Sequence, residues 1–216
     1  FRSGITLAAM LGQIGLPGGG IGFGYSAVNP VGVDIPELPF LSVPQGLNGV
    51  SGFIPVARLT DMLENPSGSF EYDGRTHTYP EARIVYWAGG NPFHHHQDLN
   101  RMRRAWARPD TVISHEWCWN ALARHSDIVL PCTTALERDD IALTPRDPFI
   151  VRMDKAIDPV GQARSDHDIL RGVAARMGVA EKFTEGRSPE EWLRWIYDLT
   201  RQQAARERIE LPGLDD

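Results

Sequence analysis

The chain has 216 residues, is 42% hydrophobic and carries a formal net charge of −6. That length and apolar content allow one large domain or two small ones around a sizeable core. The acidic balance argues against a general nucleic-acid binder, which needs excess Lys and Arg. Cys118 and Cys132 are too few for a disulfide framework or an all-cysteine metal site, and no stretch is long and apolar enough to span a membrane.

The chain opens at Phe1 with no initiator Met and no signal peptide, which points to a piece of something longer. A helix is expected from Gly4 to Gly15, ended by Pro17 and a glycine run. Residues 17–55 are crowded with Gly and Pro and carry almost no periodicity. They read as an extended, ordered loop region, or as one that becomes ordered only against a ligand or another domain. A helix follows over Pro55–Glu64, then a small hairpin over residues 69–79 turning at Asp73-Gly74.

From residue 82 the texture becomes alternating strand and helix. Strand 83–88 leads through Gly89-Gly90-Asn91-Pro92 to a helix at 94–107. Strand 111–115 leads to a short helix at 119–125, and strand 127–131 to a loop reaching about residue 163. Ser165 and Asp168 are spaced to cap a helix ending near Met177, and Ser188-Pro189 opens another to about Arg208. This pattern predicts an α/β fold: a doubly wound, mostly parallel Rossmann-like sheet with helices on both faces, plus the Gly/Pro-rich loop region. The expected division is 1–80 for the first helix, loops and hairpin, 81–178 for a dinucleotide-binding core, and 179–216 for a C-terminal helix.

Ligands of open α/β sheets bind at the carboxyl ends of strands. Gly89–Gln97, Ser114–Glu116 and Pro131–Thr134 should therefore converge on one edge. Glycines there admit a ligand to the backbone, Asn91 is a good N-cap and Pro92 fits the first helical position, so the helix start should face an anion. His95, His96 and Gln97 are placed to donate to phosphate or base, while three consecutive histidines point in different directions and make a poor metal set. Arg101, Arg103, Arg104 and Arg108 form the dense basic cluster, suited either to diphosphate or to a solvated helix face. The Gly22–Ala27 stretch has nearly the dinucleotide spacing but lacks a strand before it and a helix after it. Glu137 and Asp139 read as surface charge, and Trp192 with Trp195 as packing residues. No nucleophile–base pair or metal set stands out. The residues describe a cofactor binder.

Three segments carry a resemblance: Met10–Gly20 (MLGQIGLPGGG), Gly89–Asn100 (GGNPFHHHQDLN) and His125–Ile141 (HSDIVLPCTTALERDDI). In order and content they resemble the molybdopterin oxidoreductases of the dimethyl sulfoxide reductase family, above all its trimethylamine N-oxide, dimethyl sulfoxide and biotin sulfoxide reductases. The resemblance implies a bis(molybdopterin guanine dinucleotide) molybdenum cofactor and two-electron reduction of a small S-oxide or N-oxide. It nominates Gly89, Gly90, Asn91, His95, Gln97, His115, Glu116 and Asp166, with Ser114 a weaker candidate, as cofactor-binding, and no residue as catalytic or metal-ligating. It also implies N- and C-terminal domains beyond these residues, a serine metal ligand upstream of Phe1, an electron-donor protein, and a bacterial periplasmic or cytoplasmic setting. Competing readings are a stand-alone guanine-nucleotide or pterin carrier without activity, and a formate-dehydrogenase-like or nitrate-reductase-like member.

Overall fold

The computed structural model describes residues 2–22, 42–50, 52–143 and 149–216. They form two compact units. Among the described residues, one comprises 43–50, 52–139 and 154–191, the other 2–22, 42, 140–143, 149–153 and 192–216.

The first unit is organised by three parallel strands, β3 (Ile84–Ala88), β4 (Thr111–Glu116) and β5 (Ile128–Pro131), with β4 in the middle. The registers Trp87↔Ser114, Ala88↔His115 and Glu116↔Pro131 bring all three carboxyl ends level. Beyond β5, Cys132 bridges Arg164 in parallel, which brings the start of a later helix alongside the same edge. Chain order and spatial order agree, so each connection crosses over and returns beside the previous strand.

Two earlier elements precede this sheet. A 3₁₀ turn (Val56–Arg58) runs into α2 (Leu59–Glu64), following α1 (Arg2–Met10) of the other unit. The hairpin pairs β1 (Ser69–Tyr72) with β2 (Arg75–Thr78). Its turn puts Asp73 and Gly74 at φ 49° and 70°, the two left-handed residues that a tight hairpin needs.

The helix expected over 94–107 is two helices, α3 (Pro92–His95) and α4 (Leu99–Trp106). His96 turns extended, and Asp98 sits left-handed at φ 47° while its carboxylate caps the Arg101 N–H at 3.1 Å. A short polar side chain tolerates that backbone and restarts the helix. The core lies under α2 and α4: Leu63, Val85, Phe93, Met102, Ala105, Trp106, Val112 and Leu122. Trp106 donates its indole N–H to the His125 carbonyl at 3.1 Å, so its one polar atom is satisfied inside. Arg101 reaches Asp61 at 2.5 Å and Glu64 at 2.6 Å, tying α4 to α2.

The short helix expected at 119–125 reduces to a 3₁₀ turn at Ala123–His125. The loop expected to run to residue 163 carries a 3₁₀ turn at Ala135–Glu137 and, in the second unit, an antiparallel pair, β6 (Asp140–Ala142) with β7 (Val151–Met153). Three-residue strands are too short to show alternation, which hid this pair. Helix α5 (Asp166–Arg176) starts at Ser165, whose hydroxyl accepts the Asp168 N–H at 3.1 Å as the spacing predicts. A short α6 (Ala180–Thr184) follows unheralded, then α7 (Pro189–Arg206). Trp192 and Trp195 meet edge-to-face at 5.3 Å, a packing pair.

In the second unit Asp215 takes Arg194 at 2.5 Å and Arg152 at 2.8 Å, and these hydrogen bonds hold its carboxyl down to about 2. The described parts of the Gly/Pro-rich stretch, residues 17–22, 42–50 and 52–55, carry no helix or strand, while 23–41 and 51 lie outside the described residues, as does most of Gly22–Ala27. No described helix is long and apolar enough to cross a membrane.

Candidate cofactor site

The strand ends gather the nominated residues in two groups, one on each face of β4. Strand alternation puts Ser114 and Glu116 on the face of Val112, toward the core, and His115 on the opposite face.

On the core face, the turn after β3 holds Gly89 and Gly90 at φ 83° and 70°, conformations that a side chain would strain. A Cβ at either would meet nothing within 4 Å, so the turn leaves open space beside the backbone. Asn91 follows, buried, its Oδ1 accepting the Phe93 N–H at 3.0 Å. Pro92 has no N–H to offer, Phe93 gives its own to Asn91, and His94 bonds the Asn91 carbonyl at 3.0 Å. The start of this one-turn helix is therefore closed by its own cap, contrary to the expectation of a long helix aiming free N–H groups at an anion. His95, the last residue of α3, and Gln97, on the loop to α4, lie exposed. His96 is half-buried against Trp87, and burial, with His95 beside it, pulls its pKa down.

Four polar side-chain atoms at this edge are buried without a partner: Asn91 Nδ2, Ser114 Oγ, Glu116 Oε1 and Thr133 Oγ1. The other Glu116 oxygen accepts from Asn120 Nδ2 at 2.6 Å, and burial raises the carboxyl's pKa. An unmet buried polar group costs roughly 1–3 kcal/mol, so four along one edge mark where something else completes the bonding. Glu116 Oε1 accepts, Asn91 Nδ2 donates, and the two hydroxyls do either.

On the opposite face Tyr86 Oη lies 2.7 Å from His115 Nε2, and His115 Nδ1 lies 2.7 Å from Asp166 Oδ1. The His115 side chain is 1% exposed and that of Asp166 49%. Cys132 lies between the groups: burial, then Asp166 and Glu116, pushes its thiol up to about 11. The structure so brings His115, Asp166, Ser114 and Glu116 to one edge, with Asn91 and the glycines at the neighbouring strand end. His95 ends α3 and Gln97 stands two residues beyond it, both exposed.

Two residues escaped the sequence reading. Asn120 lies four after Glu116, a spacing that returns a side chain when the chain turns back. Tyr86 falls on the alternate positions of β3, facing away from Val85 and Trp87, and this was readable from the strand pattern. Two other groups proved structural. Arg101 is spent on Asp61 and Glu64, and Arg108 on the Glu64 carbonyl at 2.5 Å. Glu137 is buried rather than a surface charge: it accepts from the Thr134 N–H and hydroxyl at 2.7 and 2.8 Å and from the Val160 N–H at 2.7 Å. Those bonds hold its carboxyl below the ordinary range. Among the described residues no group of three or more His, Cys, Asp or Glu is placed to hold a metal ion.

Residues 1–176 match the family model described as molybdopterin oxidoreductase. The chain belongs to the molybdopterin oxidoreductase family. It is 46% identical over 221 residues to a biotin sulfoxide reductase of Cereibacter sphaeroides, a match covering 100% of this chain and 29% of the relative. A dimethyl sulfoxide/trimethylamine N-oxide reductase of the same species is 44% identical over 225 residues, covering 98% of the chain and 27% of that protein. A trimethylamine-N-oxide reductase of Haemophilus influenzae is 39% identical over 224 residues, with the same 98% and 27% coverage. The chain thus spans between a quarter and a third of the length of these relatives. Family membership implies a molybdenum–molybdopterin cofactor. The orphaned acceptor, donor and hydroxyls at the sheet edge have the chemistry to receive such a polar, ring-bearing group.

Proposed function

We propose that this chain is the cofactor-gripping α/β portion of a molybdenum S-oxide or N-oxide reductase, and that it holds a guanine dinucleotide arm of the cofactor at the carboxyl edge of its sheet. The reading rests on one observation: the four buried polar atoms without partners, spread over the ends of three adjacent parallel strands. Residues 81–178 act as its dinucleotide-binding core, in a doubly wound, Rossmann-like manner.

Each residue has a task here. Gly89 and Gly90 let a diphosphate or ribose approach the backbone; Asn91 Nδ2, Ser114 and Thr133 satisfy its oxygens. Glu116 and Asp166 accept N–H groups. Guanine and pterin share an amino-pyrimidinone edge whose amino and ring N–H groups suit a carboxylate. His95, at the end of α3, and Gln97, just beyond it, donate from the rim. When bound, the molybdenum–pterin group supplies two-electron oxygen-atom transfer, the oxide leaving as sulfide or amine and its oxygen as water. The protein's contribution is to bind, orient and electrostatically tune that group. Further domains, the oxide substrate and a protein electron donor complete the activity.

The test is GDP binding by the full-length protein freed of cofactor, with ADP as control. Stabilisation by GDP that Asn91→Ala weakens supports the reading; equal response to ADP, or indifference to Asn91→Ala, overturns it.

A further inference from the structure

We infer that Tyr86 and His115 are positioning residues that hold Asp166 in one orientation, so that its remaining oxygen presents a fixed acceptor to an amino-pyrimidinone edge. The inference deepens the nucleotide reading and rests on it.

His115 is almost wholly enclosed, and both ring nitrogens are engaged within the chain at 2.7 Å. It has no atom left with which to recognise a ligand. A carboxylate accepts only, so the Asp166 contact assigns the imidazole proton to Nδ1. With Nδ1 donating to Asp166, Nε2 accepts and the Tyr86 hydroxyl donates to it. Tyr86 suits that role: burial, and then the negative charge of Asp166, keeps its phenol protonated. The Tyr86 ring also meets the imidazole edge-on at 5.3 Å, which limits its tilt.

The far end of the chain is different. Asp166 is the first residue of α5, its side chain is half exposed, and no described residue engages Oδ2. One oxygen is anchored and the other is offered. Anchoring pre-pays the rotamer freedom that a lone surface aspartate loses on binding. Asp166 also acts on the Cys132 thiol beside this chain, as do Glu116 and Arg138.

The amino-pyrimidinone edge occurs in both guanine and pterin, and paired ligands separate the two sources. GDP is compared with IDP, which lacks the 2-amino group, and pterin with lumazine, which replaces it by oxygen. Binding is measured by calorimetry on the cofactor-free full-length protein. Wild type is expected to prefer the amino-bearing member of one pair, and Tyr86→Phe to reduce that preference about two- to tenfold. In an Asp166→Ala background Tyr86→Phe should change nothing further. A generally loosened fold would weaken both members of each pair alike and leave the ratio intact. His115→Asn keeps an N–H toward Asp166 but loses the reach to Tyr86, so an intermediate preference is expected. The affected pair identifies the edge as guanine or pterin. Intact ratios in Tyr86→Phe and His115→Asn, with wild type discriminating, overturn the positioning role alone. A wild type that binds GDP without discriminating either pair overturns the assignment of Asp166 to this edge, and failure to bind GDP overturns the nucleotide reading beneath it.

Discussion

The flank under α4 and the carboxyl edge of the sheet contrast sharply in how they treat polar groups. On the flank, three prominent polar groups are answered inside the chain: Arg101 by Asp61 and Glu64, Arg108 by a carbonyl, the Trp106 indole by His125. At the edge, four buried polar atoms are left unanswered within one strand layer. A dense arginine cluster drew attention in the sequence, yet its best-placed members are structural. The quieter Ser114, Glu116 and Thr133 bear the marks of a binding surface. Unmet hydrogen bonding, rather than charge density, separates the two regions.

Trp106→Ala should give the largest effect. Trp106 is 2% exposed at the centre of the flank core, and its removal should cost about 3–5 kcal/mol, measured by urea unfolding. A cost below about 1 kcal/mol would mean that the flank is not the stabilising side. Asn91→Ala straddles the comparison. It loses the cap on Phe93, worth about 1 kcal/mol of stability, and also the Nδ2 donor, so GDP affinity should fall two- to tenfold as well. Loss of stability with unchanged affinity would assign Asn91 to the flank and overturn the nucleotide reading with it.

Ser114→Ala sharpens the contrast. Its hydroxyl is wholly buried without a partner, so the unliganded protein should be unharmed, within about 0.5 kcal/mol, or slightly more stable. GDP affinity should nevertheless drop. Destabilisation of the free protein would show that Ser114 serves packing rather than binding.

How much of this was legible follows the same physics. The parallel strands, the hairpin turn at Asp73-Gly74 and the Ser165 cap were readable because each depends on local chemistry: apolar runs, left-handed backbone, an oxygen at the right offset. The break at Gln97-Asp98 was not, because the basic run beyond it reads as one continuous helix and Asp98 must take a left-handed backbone that Asp only tolerates. Nor was the fate of Arg101 and Arg108, whose partners lie 37, 40 and 44 residues earlier in sequence. Ser114, His115 and Glu116 were placed at a strand end correctly, but their division between two faces, with Tyr86 and Asp166 behind His115, emerges from register and from the bridge at Cys132. Glu137 was misjudged because a lone carboxylate in a loop gives no sign of the N–H groups that a later segment returns to it.

Glu137 supports the smallest prediction. Its carboxylate gathers two N–H donors and a hydroxyl, binding the Thr134 turn to Val160, and these bonds lower its pKa. A lowered folded-state pKa means that the unfolded chain takes up the proton first as pH falls. Its contribution is therefore complete above the ordinary carboxylate value of about 4.5 and is lost progressively below it. Glu137→Gln should lower the thermal midpoint at neutral pH, because an amide accepts through one weaker oxygen. The gap between variant and wild type should narrow as the pH is lowered through the acid range, where wild type loses the same charge. A gap independent of pH would mean that shape rather than charge holds this loop. Arg101→Leu provides the matching control on the flank: it should lower the midpoint modestly and leave GDP affinity untouched. Loss of affinity there would restore the arginine cluster as a phosphate site and dissolve the distinction between the two regions.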